Sequence, residues 1–199
     1  MKKYSLFLFV FIIAAISSVQ AQDTKWGLKG GLNSASFSGD DSDGFGDAKS
    51  SFLIGAVYDY TFTHRIGVQV DIMYTNTILE NKNSGDSSEL NMTYMNIPIV
   101  FKYYFTQNIN VFAGPEFGVL ARASYNGGDD ASEMFTIGKL RAVAGAQYKL
   151  DMGLIFDLRY ALGLTSIGAD MEYYQGTDLV TESFDIKYSA LQISVGYLF

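Results

Sequence analysis

Along most of the chain large apolar side chains occupy every second position, with small or polar ones between. Ile66, Val68, Val70, Ile72 and Tyr74 alternate with Gly67, Gln69, Asp71, Met73 and Thr75. A period of two belongs to the β-strand, whose successive side chains point to opposite faces. The same alternation over 26–33, 52–60, 94–103, 111–120, 139–148, 154–165 and 191–199 predicts seven further strands. In the last of them Leu191, Ile193, Val195, Tyr197 and Phe199 share one face, while Gln192, Ser194 and Gly196 share the other. No window beyond Ala21 sustains a helical period, so the chain reads as all-β.

Alternation does not say which face points inward, because a soluble eight-stranded carrier alternates too, with its apolar face inside. Size decides between them. Five bulky residues from each of eight strands would crowd a cylinder only just wide enough to be filled by side chains, whereas the Gly-rich alternate face fits it. The expected fold is an eight-stranded antiparallel transmembrane β-barrel, an up-and-down meander with its apolar face in lipid. Residues 22–199 suffice for eight strands of about ten residues in one domain.

Before this region, Lys2 and Lys3 precede an apolar stretch over 6–16, and Val19, Gln20 and Ala21 offer small residues for cleavage. That is the pattern of a secretory signal peptide over 1–21, with the barrel domain over 22–199. The absence of cysteine rules out a disulfide and a lipidated cysteine terminus. Connections alternate in length: 61–65, 106–110 and 149–152 are short, while 38–50, 78–89, 124–136 and 166–184 are long. Outer-membrane barrels have short periplasmic turns and long external loops, which predicts both termini in the periplasm. Tyr58, Tyr60, Tyr74, Tyr103, Phe105, Tyr148, Tyr197 and Phe199, near strand ends, are candidates for interfacial girdles.

Charge follows the same plan. The long loops hold fourteen acids, among them Asp40, Asp41, Asp43, Asp47, Asp129 and Asp130, opposed only by Lys49 and Lys82. Such a mouth repels nucleic acid and suits an envelope or extracellular partner. A calcium loop with Gly44 at its sixth position would need an acid or Asn at Gly39 and a Glu at Ser50, and both are missing; a looser oxygen cage with Asp47 stays open. On the inward face stand Asp71, Lys102, Glu116, Arg141, Asp157 and Arg159, with Lys29, Arg122 and Lys139 placed nearer the outer end. Unpaired charge would be costly in so narrow a space. The expectation is a structural network that fills the lumen, with Glu116 paired to Lys102 and an arginine paired to Asp157 or Asp71.

Barrel enzymes that use histidine need it beside Ser, Asp or Asn near the outer leaflet. The single histidine, His64, falls in the short 61–65 connection, and no thiol nucleophile, Cys/His cluster or phosphate-cradling glycine loop exists. No catalytic, cofactor-binding or metal residues are assigned, and no cofactor is expected.

Four stretches carry a family resemblance: Tyr94-Met95-Asn96-Ile97-Pro98-Ile99-Val100-Phe101-Lys102-Tyr103-Tyr104-Phe105, Phe112-Ala113-Gly114-Pro115-Glu116-Phe117-Gly118, Asp157-Leu158-Arg159-Tyr160-Ala161-Leu162-Gly163-Leu164 and the closing Gly196-Tyr197-Leu198-Phe199. Together they resemble the PorT-like outer-membrane β-barrel domain of Bacteroidetes-type bacteria, with Asn96 standing where many relatives have Glu. The resemblance implies an outer-membrane location, outer-membrane lipid as surroundings, the barrel-assembly machinery as a folding partner that reads Phe199, and in its narrow form a secretion-associated role. Two non-enzymatic readings follow: a structural or interaction barrel with acidic external loops, and a small passive channel. A lipid-modifying enzyme is the third.

Overall fold

The computed structural model describes residues 23–38, 48–81, 88–125, 129–130, 138–166, 171–175, 178–182 and 187–199. Eight strands form the wall: β1 Asp23–Ser38, β2 Ser51–Thr63, β3 Ile66–Asn81, β4 Ser88–Tyr104, β5 Ile109–Tyr125, β6 Gly138–Lys149, β7 Leu154–Gly163 and β8 Lys187–Leu198. Each pairs antiparallel with its neighbours in sequence. Pairing of β1 with β8, from Gly27 opposite Leu198 to Ser38 opposite Lys187, closes the barrel. Closure removes the unpaired edges that an open sheet would expose to hydrocarbon. The expected signal peptide lies outside the described residues.

The faces are inverted relative to a water-soluble protein. Trp26, Leu32, Phe101 and Ile193 are more than half exposed on the outside, while Arg141, Lys102, Glu116 and Asp71 are at most 2% exposed inside. Polar groups buried within the wall and a continuous apolar exterior are the arrangement that lipid as solvent requires. The soluble-carrier alternative, with Val68, Val70 and Ile99 at its centre, is thereby excluded.

Tight turns join the strands at one end. Thr63 Oγ1 accepts from the backbone N–H of Arg65 (3.3 Å) and Ile66 (3.1 Å), and Thr106 Oγ1 likewise from Asn108 (3.3 Å) and Ile109 (3.0 Å). Short hydroxyl side chains that bind their own backbone stabilise such reversals. Gly153 takes a positive φ of 97° in the third turn, where a side chain would be strained. The chain end is tied to this region, with Leu198 N–H donating to Gly153 O (2.8 Å) and Phe199 N–H to Trp26 O (2.6 Å). Outward aromatics pair here: Trp26 with Tyr58, Tyr60 with Phe62, Tyr103 with Phe105 and Tyr197 with Phe199. Tyr74 instead stacks on Phe52, further up the wall.

At the long-loop end the wall is uneven. The strands β3, β4 and β5 have 16, 17 and 17 residues, whereas β7 has 10, about what a membrane crossing needs. Ala48–Lys49 extends the sheet beside β3, Asp129–Asp130 beside β5, and Met171–Gln175 pairs with Asp178–Glu182 as a separate hairpin.

Candidate functional site: the charged lumen

Strand register stacks the inward side chains into two polar layers. The one nearer the tight turns contains three carboxylates and three cations. Arg159 is bidentate on Asp157, through Nε to Oδ1 (2.8 Å) and Nη2 to Oδ2 (2.7 Å), and its Nη1 reaches Asp71 Oδ2 at 3.2 Å. Lys29 Nζ also bonds Asp71 Oδ2 and lies 3.7 Å from Asp157 Oδ2. Lys102 Nζ donates to Asp59 Oδ2 (2.7 Å), Gln147 Oε1 (2.7 Å) and Gln69 Oε1 (3.1 Å). Gln69 donates in turn to Asp71 Oδ1 (2.8 Å), Gln147 to Gln69 Oε1 (3.2 Å), and Asn110 to Gln147 Oε1 (3.3 Å). Among the described residues this is one connected network, balanced in charge, with members on every strand from β1 to β7.

Most groups here gain from their neighbours what burial takes away, although Asp59 Oδ1 and Asn110 Oδ1 are left without a hydrogen-bond partner among the described residues. An isolated ion in a low-dielectric interior costs several kcal/mol, and only close pairing with further hydrogen bonds offsets it. The two glutamines matter because each both donates and accepts, which links one ion pair to the next.

Toward the long loops comes first an apolar cluster of Val100, Phe112, Val143 and Ala161, with the Arg159 guanidinium 5.2 Å over the Phe112 ring. Beyond it lies the second polar layer. Arg141 Nε donates to Glu116 Oε1 at 2.8 Å, and Nη2 bonds the same oxygen. Lys139 Nζ sits 3.3 Å from the Tyr94 ring centroid and 4.2 Å from that of Tyr188, against which Arg141 also packs at 4.8 Å. The Tyr188 hydroxyl bonds Thr77 (2.9 Å) and accepts from Asn33 (3.1 Å), whose amide oxygen accepts from Gln192 (3.0 Å).

Three expectations are corrected. Glu116 pairs with Arg141 and not with Lys102, because the register sets Glu116 opposite Arg141 on β6 and Pro98 on β4, whereas Lys102 lies opposite Phe112, a layer away. Lys29 is not near the outer end but deep in the first network. Arg122 leaves the inward face altogether: a bulge between Thr93 and Tyr94 pairs Thr93 with Arg122 but Tyr94 with Leu120, which turns Arg122 outward and Ala123 inward.

Asp71, Lys102, Glu116, Arg141, Asp157 and Arg159 all lie in the lumen, though split between two layers. Asp59, Gln69, Asn110 and Gln147 were missing from the expected network, and their signal was their place on the alternating inner face. His64 stands exposed in its turn. Phe199 is exposed on the outer surface, stacked edge-on against Tyr197. Asp40, Asp41, Asp43 and Asp47 lie outside the described residues; Asp129 and Asp130 pair with Tyr125 and Ser124 through their backbone.

A family model described as an outer membrane protein β-barrel domain matches residues 20–176, and the chain belongs to that family. It is an outer-membrane protein. No functionally curated protein matches the sequence. Among solved structures, the fold is similar to Ail, the attachment invasion locus protein of Yersinia pestis, in complex with the heparin analogue sucrose octasulfate: 16% identity, 89% of this chain and 99% of that one covered, TM-score 0.54. Neisserial surface protein A is similar at 13% identity over the same shares of the two chains, with a TM-score of 0.57.

Proposed function

We propose that this outer-membrane barrel is non-enzymatic and non-conducting, a braced stub that holds acidic external loops toward envelope or extracellular partners, with both termini in the periplasm. The observation that carries the reading is the charge-balanced network, which ties side chains from seven of the eight strands across the lumen. Ions following the barrel axis would have to break several buried ion pairs at once. A secretion-associated role of the PorT-like kind is one form this function takes, with the loops as the docking element.

The heparin analogue held by Ail is a polyanion. Fourteen acids against two lysines over residues 38–50, 78–89, 124–136 and 166–184 make a like ligand a poor match and favour a basic or cation-bridged partner. Planar-bilayer recording tests the closed lumen: the purified barrel gives no steady unitary current. Steady currents with defined ion selectivity would replace this reading with the passive channel. Crosslinking from outside whole cells tests the orientation, with labels at residues 43 and 178 reacting and one at His64 remaining silent.

A further inference from the structure

The two polar layers differ in charge, and the difference points to a ligand. In the layer toward the long loops Lys139 and Arg141 face a single carboxylate among the described residues, Glu116, and all three are at most 5% exposed. Glu116 Oε1 is already shared by Arg141 Nε and Nη2. Lys139 Nζ and Arg141 Nη1 are both buried without a hydrogen-bond partner. Among the described residues no acceptor uses the N–H donors of these two atoms, which belong to residues two apart along one inner face and packed against the same Tyr188 ring. Stacking on Tyr94 and Tyr188 offsets part of the cost of burying the Lys139 ammonium. The nearby Asn96 Oδ1, also unpartnered among the described residues, can accept one hydrogen bond from Lys139 Nζ, yet as a neutral group it supplies no negative charge.

We propose that the long-loop half of the lumen binds a small inorganic anion of the chloride class, held by Lys139 Nζ and Arg141 Nη1. Tight packing beside Lys139 argues against a large ligand. A methyl group on Gly118 would lie 2.4 Å from Lys139 Cε and 2.6 Å from Asn96 Oδ1, so the wall beside the Lys139 stem has no spare room. The acid-rich long connections of the sequence further disfavour a multivalent anion. The apolar cluster and the balanced network below make the site a terminus and not a stage of a path.

Crystals of the full-length barrel soaked in sodium bromide test the site by anomalous scattering. The expected result is a bromide in contact with Lys139 Nζ in the wild type and its loss in Lys139→Met. Thermal unfolding in detergent, with chloride replaced by gluconate at equal ionic strength, gives a second readout. The wild-type midpoint falls by about 2–4 °C if the anion contributes on the order of 1 kcal/mol, and the variant does not respond. If Lys139→Met does not fold, Lys139→Gln serves in both measurements. Absence of bromide, equal anion dependence in wild type and variant, or an external-loop carboxylate within about 4 Å of Lys139 Nζ overturns the proposal.

Discussion

The two layers of the lumen are built from the same kinds of residue but organised by different rules. Near the tight turns, three acids and three cations are interleaved with Gln69 and Gln147, so that each charge touches an opposite one and the network spans most of the wall. Near the long loops, one ion pair sits among two tyrosines, and Lys139 is held by ring faces alone among the described residues. The first arrangement braces the barrel. The second leaves buried Lys139 Nζ and Arg141 Nη1 without a hydrogen-bond partner among the described residues. Within one narrow cylinder, then, a polar filling is read by its balance of charge and of donors, not by its polarity.

The strongest way to break this contrast is Asp71→Asn, which leaves Lys29 and Arg159 sharing only Asp157. Loss of one partner from a buried network costs about 3–5 kcal/mol, and urea unfolding in detergent, followed through the single tryptophan, Trp26, measures it. A smaller effect is expected for Glu116→Gln, about 1.5–3 kcal/mol, because Arg141 keeps its contact with Tyr188 and a weaker acceptor at residue 116. If Glu116→Gln proves as costly as Asp71→Asn, the two layers are not energetically distinct. Smaller again is Lys139→Met, expected within about 1 kcal/mol of the wild type, since the change removes an unmatched buried charge at little loss of volume. A loss of 3 kcal/mol or more would show Lys139 to be a full member of a balanced layer. Last, His64→Ala in the exposed turn is expected within about 0.5 kcal/mol.

Legibility in the sequence followed the range of the interaction involved. Alternation along one strand is local, so the inward placement of Asp59, Asp71, Lys102 and Glu116 is written into positions such as Val57-Tyr58-Asp59-Tyr60. Partner choice is not local. The pairing of Glu116 with Arg141 depends on how β5 and β6 slide past each other across the 126–137 connection, whose length does not set a register. The 105–108 turn does: it pairs Tyr104 with Asn110 and hence Lys102 with Phe112, enough to separate Lys102 from Glu116 once the turn centre is known. Arg122 was misplaced for a different reason, since one extra residue in β5 reverses the phase of everything beyond it.

Taken alone, the sequence determined the strand number, the lipid-facing and inward faces and the division into short and long connections, because each follows from side-chain period and composition within a few residues. Only the tertiary structure decided which charges meet, that Lys29 reaches Asp71 and that Lys139 meets tyrosine rings instead of a carboxylate. Strands tilt and stagger as a barrel closes, and a group's neighbours across the lumen are set by that stagger, which no single strand encodes.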